Sequence, residues 1–559
     1  MEQLIAIVPA LPVFSAILML LFSSRLEQRV AWLSTTATFI TFAVTIVILG
    51  VEIAGQNTGQ VASLHGWGIL RSDPLSAIMG ALITGISLIV HLYSIRYMAE
   101  EPGYARFFVL LDLMTSSLLV MVAAGDLLTL MIAWHAIGVL LYFLLGHDTR
   151  RQNTFRYAFW TFITYRIGDM ALVLAAAILV HTYDTWSLTE IFAKIQSDPH
   201  AMSFLGIPAT QAAAIFLAFA AFARSAQFLL HNWLPYTMDG PTPVSALMHA
   251  GIVNAGGFLI NRFAPVFVHS GYVLHGLFIV GLVTAVIGSI LMLTQNDVKK
   301  SLGYSTMGQM GFMIMECGVG AFSLAIYHLI AHGLFKGTLF LGAGGVINAA
   351  RHDDGVPKDD LYTFVIERRP ARQRPPWLIM AAITLIIPAF VLVLAHWLVS
   401  QDLFQKQGAI VLLFFGWVTG AQLIFATYRM RTERTGRLLT MVLASFTVVV
   451  VGYTLISHVF ELFLYPDAQF RELIHSASSI NVVWFDILIV LTTLMIVVGW
   501  LVTYYSEQNG KHKTRTPGRL RLSFYALISR EFYLADIYAW FTRGLMRTAE
   551  SLNIWFKWA

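Results

Sequence analysis

The sequence predicts an all-α membrane protein that crosses the bilayer many times, and three observations carry this prediction. Of its 559 residues, 57% are hydrophobic and only 12% are charged, whereas soluble domains carry about 25% charged residues. Apolar runs of roughly 20 residues, the length that crosses about 30 Å of hydrocarbon as a helix, recur along the whole chain. Lysine and arginine are concentrated in alternate loops between these runs. Together these features exclude a soluble globular fold.

We predict about fifteen transmembrane helices, one for each apolar run. The first run begins at residue 4 and leads into further spans without a charged leading segment or a cleavage signal, so we expect a retained helix rather than a signal peptide. The segment after residue 511 carries many spread charges and an amphipathic pattern, which predicts a helix on the cytoplasmic surface or against a partner, with a sixteenth span left open. The runs cover residues 4–22, 30–50, 75–95, 107–124, 127–146, 157–182, 210–230, 242–261, 273–293, 301–317, 322–349, 377–400, 409–428, 438–463 and 483–505.

The distribution of lysine and arginine predicts the orientation of these spans. Loops after odd-numbered spans carry 24 such residues, and loops after even-numbered spans carry 5. Because cytoplasmic loops are enriched in these residues, the N-terminus is expected outside. The loops at 147–156, 351–376, 429–437 and 506–522 are then cytoplasmic. The net charge of +5 thus reflects topology and does not indicate nucleic-acid binding.

Other features argue against a stand-alone enzyme and a resident cofactor. Cys317 is the single cysteine, so the chain has no internal disulfide and no Cys/His metal spacing. The sequence also contains no Walker A motif, no dinucleotide-binding glycine motif and no haem or iron-sulfur spacing. We therefore expect no cofactor and no metal, and an ion gradient as the energy source.

Three cationic side chains lie inside predicted spans: Arg166, Arg224 and Lys336. A cation at the bilayer centre costs about 2.5–3.5 kcal/mol on insertion scales, so each should face the protein interior and a partner or water. Asp169 lies three residues after Arg166 on the same helical face, which leaves a purely structural ion pair open there. For Arg224 and Lys336 no acidic residue lies within one turn, and a functional role is favoured.

In the eleventh span, basic side chains recur every four residues. His328, His332 and Lys336 form one stripe about 12 Å long at 1.5 Å per residue. Imidazole and a desolvated amine exchange protons near neutral pH, so this spacing suits a proton relay through water. The alternative is histidines satisfied by backbone carbonyls. Gly333 and Gly337 would allow close approach of another helix.

The stretch RSAQFLLHNWLPYTMDGPTPVSALMHAG, residues 224–251, predicts a broken helix. Pro235, Pro241 and Pro243 each remove a backbone donor, and Asp239-Gly240 is a turn signal, so the helix should break near 231–243. Unpaired backbone at membrane depth is tolerated beside water or buried in protein. Arg224 and His249 flank the break, which favours a wet entry or exit path. An ordinary loop near the outside face is the alternative.

The remaining polar residues of the spans are weaker candidates. His135 lies in the middle of a span with no local partner, and we rate a functional and a structural role equally. Asp112 and Glu316 also lie in spans, whereas interfacial structural roles are expected at His91, His181, His396 and His458.

Three stretches in order carry a family resemblance: residues 224–251, DVKKSLGYSTMGQMGFM and HLIAHGLFKGTLFL. They resemble the antiporter-like subunits of respiratory complex I and multisubunit cation/proton antiporters over roughly residues 60–430. The resemblance implies two inverted five-helix repeats, each with one broken helix, and a chain of protonatable residues at mid-membrane. The motif matches assign ion translocation to Arg166, Asp169, Arg224, His249, His328, His332 and Lys336.

Departures from the family pattern affect the first repeat. Trp134-His135 stands where the family reads Trp-Glu, and Arg224 stands where it reads lysine. Arginine does not release its proton in proteins, so Arg224 would supply a fixed charge that acts on a nearby imidazole or attracts an anion. A further expected lysine corresponds to Gln401 in a loose alignment.

With these departures, the sequence resembles the DabB subunits of energy-coupled inorganic carbon uptake complexes in the bacterial inner membrane. The resemblance implies a zinc-containing, β-carbonic-anhydrase-like partner, DabA, while this subunit conducts protons or cations. The basic loop 351–376 and the tail from Lys511 are expected to dock the partner or to anchor lipid headgroups. The implied division is 1–106 for N-terminal helices, 107–261 and 262–430 for the two repeats, 431–510 for C-terminal helices and 511–559 for the tail. A subunit of a quinone oxidoreductase, hydrogenase or cation antiporter, and a non-conducting scaffold, stay open.

Overall fold

The computed structural model describes residues 2–55, 61–63, 69–148, 152–237, 240–295, 297–352, 458–479 and 519–556, with single positions between 386 and 498. The chain divides into two compact units. One comprises Met1–Gly318, Phe322–Ala343 and Gly518–Ala559, and the other Val319–Ala321 and Gly344–Pro517.

The first half of the described chain is built from long helices and one short hairpin. The hairpin pairs its two strands antiparallel, with Ala62 opposite Leu70. The elements are α1 (Glu2–Leu26), α2 (Val30–Ile53), β1 (Val61–Ser63), β2 (Ile69–Arg71), α3 (Pro74–Tyr97), α4 (Tyr104–Ala123), α5 (Leu127–Leu145), α6 (Gln152–Tyr183), α7 (Leu188–Ser197) and α8 (Ala209–Arg224).

Shorter pieces follow α8 before the regular helices resume. A 3-10 turn at Ile252–Asn254 separates α10 from α11, and another at Glu531–Tyr533 separates the last two helices. The elements are α9 (Trp233–Tyr236), α10 (Thr242–Ala250), α11 (Ala255–Arg262), α12 (Ala264–Phe267), α13 (Gly271–Thr294), α14 (Val298–Gly318), α15 (Phe322–His352), α16 (Ala468–Ser478), α17 (Arg519–Ser529) and α18 (Leu534–Trp555).

The first eleven predicted spans each coincide with helix in the described residues. Nine segments are long and apolar enough to cross a membrane within that part of the chain, and Ala209–Arg224 is a shorter apolar helix. The twelfth to fifteenth predicted spans, with Gln401, His396 and the loop 353–376, lie outside the described residues, as do Lys511 and Asp239. The hairpin and the amphipathic α7 were not predicted.

Local sequence signals explain where the spans begin. The Asp73 side chain accepts a hydrogen bond from the Ser76 amide, and the Ser76 hydroxyl accepts one from the Asp73 amide, which together with Pro74 starts α3. Asp126 caps α5 in the same way through the Thr129 amide at 2.7 Å. These caps satisfy backbone donors that would otherwise enter the membrane unpaired.

The helix break is real, but the sequence placed its start too late. α8 ends at Arg224, not near residue 231, because Ala226 and Leu229 adopt positive φ values of 48° and 75°. Helix resumes fully only at Thr242. We call residues 225–241 the break. Apart from the short helix α9, its described residues, 225–237, 240 and 241, carry irregular backbone that is mostly buried in protein.

Contacts at its C-terminal end show which helix ends lie beside the break. Thr242 accepts a hydrogen bond from Lys299 Nζ at 3.4 Å and lies 3.1 Å from the Tyr97 hydroxyl. Tyr97 ends α3 and Lys299 lies in the first turn of α14, so the break lies at the same end of the helices as the turns after α3 and α13. The lysine and arginine pattern predicts that this end is cytoplasmic, and the orientation stays a prediction.

Candidate ion-translocation site

The predicted site residues fall into two groups, and the first is built on one carboxylate. Asp169 of α6 accepts from Arg166 Nη2 at 2.8 Å and from Arg224 Nη2 at 3.3 Å. His135 Nδ1 of α5 lies 3.1 Å from the same carboxylate. We call His135, Arg166, Asp169 and Arg224 the arginine cluster. The predicted contact between Arg166 and Asp169 is confirmed, and one carboxylate faces two permanent cations.

Arg224 is held by aromatic rings as well as by charge. Its guanidinium donates to the Trp134 carbonyl and lies 4.6 Å from the Trp134 ring centre and 4.1 Å from that of Tyr165. The side chain is 1% exposed. Cation–π contacts strengthen when desolvated, so these rings compensate part of the cost of burial. No acidic residue lies within one turn of Arg224 in the sequence. Its carboxylate partner is Asp169, which belongs to the neighbouring helix α6.

His135 differs from the rest of the cluster because its side chain is 56% exposed. The mid-span partner that the sequence did not reveal is Asp169, and Arg166 Nη1 also lies 2.8 Å from His135 Nε2. The substituted Glu/Lys pair thus becomes histidine and arginine joined through an aspartate. The two arginines and the aspartate hold each other in place, and the exposed His135 imidazole remains accessible from outside the cluster.

The second group, which we call the histidine ladder, consists of His328, His332 and Lys336 on α15. His328 Nδ1 lies 3.1 Å from the Glu316 carboxylate, and its Nε2 lies 2.9 Å from Gln309 Oε1. The rings of His328 and His332 are 6.3 Å apart. Lys336, only 2% exposed, donates to the Leu302 carbonyl at 3.3 Å. The stripe that the four-residue spacing predicted is present, and Glu316, a weaker sequence candidate, contacts its first member.

His249 joins the ladder from α10. Its ring stacks on Phe340 of α15 with centres 4.3 Å apart, and its Nδ1 lies 3.1 Å from the Thr306 hydroxyl. α15 approaches α10 closely because Gly333 has no side chain. A Cβ there would lie 2.6 Å from the Ala250 carbonyl oxygen. The predicted role of Gly333 in close helix approach is confirmed. The close approach places His249 beside the histidine ladder.

Many buried polar atoms in this region have no hydrogen-bond partner among the described residues. Both ring nitrogens of His332 and Nε2 of His249 belong to this set. So do atoms along and beside the break, in Arg224, Gln227, His231, Asn232, Ser245 and Asn254. Buried polar groups are normally satisfied, and ordered water is the usual partner when protein groups are not. The cluster of such atoms supports the prediction of a wet route along the break.

The C-terminal segment contacts the break, and no sequence pattern predicted this contact. We call residues 519–556 the C-terminal strap. Glu531 in the strap, 2% exposed, accepts from Lys300 Nζ at 2.6 Å and from the Tyr236 hydroxyl at 2.7 Å. The Tyr538 hydroxyl donates to the Leu229 carbonyl at 3.2 Å. The strap therefore packs on the irregular backbone between α8 and α10.

Family models match two parts of the chain. Residues 124–421 match the model described as NADH:quinone oxidoreductase/Mrp antiporter, transmembrane. Residues 66–108 match the model described as NADH-ubiquinone oxidoreductase (complex I), chain 5 N-terminus. Both groups of site residues that the structure describes, from His135 to Lys336, lie inside the first match.

Curated relatives divide into one full-length match and several partial ones. The chain is 56% identical over 553 residues, 99% of both chains, to the probable inorganic carbon transporter subunit DabB1 of Halothiobacillus neapolitanus. It is 33% identical to NADH-quinone oxidoreductase subunit L of Rickettsia bellii, over 62% of this chain and 56% of that one. It is 32% identical to NAD(P)H-quinone oxidoreductase chain 5 of Synechocystis, over 77% and 65%. The chain thus spans less than two thirds of these oxidoreductase subunits.

Solved structures share the fold at low identity. The Mrp complex from Dietzia superposes with a TM-score of 0.57 at 22% identity, over 98% of this chain and 60% of that one. The membrane-bound sulfane sulfur reductase, an archaeal respiratory membrane complex, gives a TM-score of 0.60 at 16% identity, over 85% and 98%.

Proposed function

The chain belongs to the NADH:quinone oxidoreductase/Mrp antiporter family of membrane subunits, and within it to the DabB-type subunits, and from that premise we propose that it conducts protons across the membrane. The conducted ion drives uptake of inorganic carbon by a complex of which this chain is the membrane part. A monovalent cation other than the proton is the alternative cargo. The named function of the 56% identical relative supports this choice over other members of the family.

One observation carries the proposal: His332 is a buried base with neither ring nitrogen bonded to a described residue. It stands between His328 and Lys336 on α15, and His249 stacks on Phe340 of the same helix. A histidine that served only packing would have its ring nitrogens satisfied. Free nitrogens beside other bases are what proton exchange through water requires.

Each group has a proposed role in the transfer. Protons pass in series among His249, His328, His332 and Lys336, with water between them. Arg166 and Arg224 keep their charge and do not relay protons. They and Asp169 set the electrostatic environment of His135, which exchanges protons at the edge of the cluster.

The remaining structural proposals follow the family. We propose fifteen spans, two inverted repeats with a second broken helix, a bacterial inner-membrane location and an N-terminus outside. The proposed partner is a cytoplasmic, zinc-containing, carbonic-anhydrase-like protein of the DabA type. The strap and the loop 351–376 are the proposed docking surfaces, because both follow odd-numbered spans on the face rich in lysine and arginine.

The decisive experiment measures gradient-driven uptake of labelled bicarbonate in cells that express the chain with its partner. We expect His332→Ala and Lys336→Ala to lower uptake at least about tenfold, since positioned proton-transfer groups contribute roughly 10²–10⁴-fold. Thr338→Ala is the matched control, because this exposed hydroxyl on the same helix bonds only to the Leu334 carbonyl among described residues. Full uptake in both ladder variants would refute the relay.

A second function keeps the relay and changes the partner. Matches to quinone oxidoreductase subunits favour an antiporter-like subunit of a redox complex, hydrogenase or cation antiporter. Affinity purification separates the two: a zinc protein supports carbon uptake, and flavin or iron-sulfur proteins support the redox complex. The third possibility is a non-conducting scaffold, in which His135 and Arg224, the departures from the family pattern in the first repeat, have disabled transport. Proton flux into proteoliposomes that contain the complex would then be absent.

A further inference from the structure

A second set of buried polar residues lies outside the site described above, in the N-terminal helices. On α2, Ser34, Thr38, Thr41 and Thr45 are all buried, and Glu52 follows on the same face. Their spacing of four, three, four and seven residues keeps them in one stripe. From Ser34 to Glu52 the stripe is about 27 Å long, close to the thickness of the hydrocarbon core.

α3 and α4 face this stripe with polar residues of their own. The Thr45 and Thr84 hydroxyls lie 2.8 Å apart, and those of Ser87 and Thr115 lie 2.6 Å apart. At the far end the Ser72 hydroxyl donates to Glu52 at 2.7 Å. We call the stripe on α2, together with Ser72, Thr84, Ser87 and Thr115, the hydroxyl seam. Small polar residues also serve helix packing in membranes, so the seam alone does not indicate function.

A buried histidine and a buried aspartate beside the seam provide a second observation, which helix packing does not explain. His91 and Asp112 are both fully buried, and His91 Nε2 lies 3.0 Å from Asp112 Oδ1. The Ser34 hydroxyl donates to the same oxygen at 2.8 Å. The second oxygen, Asp112 Oδ2, is buried without a hydrogen-bond partner among the described residues, and the same holds for Glu52 Oε2. Unsatisfied carboxylate oxygens are costly unless something else binds them.

Hydrogen-bond chemistry fixes the proton content of this pair. His91 Nδ1 lies 2.7 Å from the Ser87 carbonyl oxygen, which only accepts, so Nδ1 carries a hydrogen. The contact between Nε2 and Asp112 Oδ1 then needs one further proton, because two lone pairs would otherwise face each other at 3.0 Å. The pair holds that proton either as imidazolium and carboxylate or as imidazole and carboxylic acid. In both forms it is neutral overall.

A cavity joins the seam near Glu52. It has a volume of about 40 Å³ and is lined by Thr45, Ser72, Ser76 and Arg71 together with apolar residues of α1. A site needs roughly 10–15 Å³ of such volume per water, so the cavity has room for a few waters with polar partners. The cavity borders Thr45, and the seam continues along α2 from Thr45 to Thr38 and Ser34, which contact His91 and Asp112.

We propose that the His91–Asp112 pair is a second membrane-embedded proton-binding site, loaded through the cavity and the hydroxyl seam. In the carboxylic acid form the shared proton lies on Asp112 Oδ1. It leaves when the carboxyl group rotates so that this O–H turns from His91 toward water or a hydroxyl and donates its proton there, and the next proton restores the pair. A metal cation is disfavoured because it would face the imidazolium form. This site is separate from the histidine ladder and does not depend on the carbon uptake proposed above.

The test uses the purified full chain and two readouts. Infrared difference spectra recorded on a pH change are expected to contain a buried carboxylic acid signal that Asp112→Asn removes and Ser116→Ala keeps. Ser116 is the matched control because its hydroxyl, on the same helix, donates to the Pro9 carbonyl outside the seam. A spectrum in which Asp112→Asn changes nothing overturns the proposal, whatever the result for carbon uptake.

Proton flux into proteoliposomes gives the second readout. Asp112→Asn and the paired variant Thr45→Val with Thr84→Val are expected to lower the flux that remains in a Lys336→Met background at least about tenfold. The threonine variant keeps every charge and the side-chain shape, so it stays informative if Asp112→Asn does not fold. Unchanged flux in the threonine variant shows that the seam only packs helices and overturns the route.

Discussion

The arginine cluster and the histidine ladder both place basic residues on predicted membrane spans, but their basic groups have different partners. In the cluster, Arg166 and Arg224 both bind the Asp169 carboxylate, and Arg224 is enclosed by two aromatic rings. In the ladder, Lys336 has one backbone carbonyl and His332 has no hydrogen-bond partner among the described residues. The permanent charges are therefore paired with a carboxylate. In the ladder only His328 contacts a carboxylate, Glu316, and His332 and Lys336 contact none among the described residues.

This difference follows from the chemistry of the two side chains. A guanidinium stays charged in the protein, so burial without a carboxylate would be prohibitive. Imidazole and amine escape that cost by becoming neutral. A buried base without a partner therefore remains able to change its protonation state. The comparison predicts that the cluster matters most for stability and the ladder most for transport.

Removing the shared carboxylate should have the largest effect on stability. In Asp169→Asn, two arginines lose the carboxylate that pairs them, and breaking a buried ion pair costs about 3–5 kcal/mol. We expect a loss of this size in the free energy of unfolding of the detergent-solubilised chain. Asp184→Asn is the control, because Asp184 is exposed at the end of the same helix and asparagine tolerates its positive φ. Equal stability of the two variants would mean that the arginines have another counterion.

Filling the contact between α15 and α10 should have the next largest effect. In Gly333→Ala the new Cβ would lie 2.6 Å from the Ala250 carbonyl oxygen, so the helices must separate. Overpacking of this kind costs about 1–3 kcal/mol. In Gly337→Ala the new Cβ would lie 3.7 Å from Ala250 Cβ, an ordinary van der Waals contact. Stability should therefore change by less than about 0.5 kcal/mol.

Thermal unfolding of both glycine variants measures this difference. If Gly333→Ala is also tolerated, the ladder does not lie as close to His249 as the structure places it, and the relay loses one of its members. A large loss in Gly337→Ala alone would point to the same error in helix position.

The sequence predicted those features that depend on one helix at a time. Apolar length located eleven helices that the structure describes, and the three-residue spacing correctly paired Arg166 with Asp169. The four-residue spacing likewise aligned His328, His332 and Lys336. Such periodicities are properties of a single α-helix and need no tertiary information.

What the sequence missed depends on contacts between distant segments. Asp169 pairs with Arg224 across 55 residues, and Glu531 meets Tyr236 across 295. The end of α8 at Arg224 was also missed, since positive φ at Ala226 and Leu229 has no glycine to signal it. The hydroxyl stripe of α2 was visible in the sequence, but nothing there showed that His91 and Asp112 meet beside it.

A second carboxylate, Asp73, also pairs with two arginines, and the stability of the chain at low pH tests this pairing. Asp73, which precedes α3, binds Arg262 and Arg71. Burial alone would raise its pKa, but the two arginines lower the pKa from 3.8 to about 2. The resulting stabilisation, about 2 kcal/mol, is present above the unfolded pKa and disappears as pH falls from about 4 through 2.

The measurement compares unfolding of the native chain and Asp73→Asn between pH 7 and pH 2. The native chain should be more stable near neutral pH, and the difference should shrink by about 2 kcal/mol at the acid end. A difference that is independent of pH would mean that Asp73 contributes through its cap on α3 and not through the arginines. The contrast between paired and free basic groups would then rest on Asp169 alone.

Lys336→Met should have the smallest effect on stability. It is the sharpest test of the difference between the paired arginines and a lysine without a carboxylate partner among the described residues. The ammonium is buried with one carbonyl partner and no carboxylate among the described residues. Replacing a buried charge by an apolar side chain of similar size is often neutral or stabilising, so the free energy of unfolding should change by less than about 1 kcal/mol. Flux through the ladder should nevertheless fall. A loss of several kcal/mol would show that Lys336 is ion-paired like the arginines, and an ammonium held by a carboxylate would be a poor carrier of exchangeable protons.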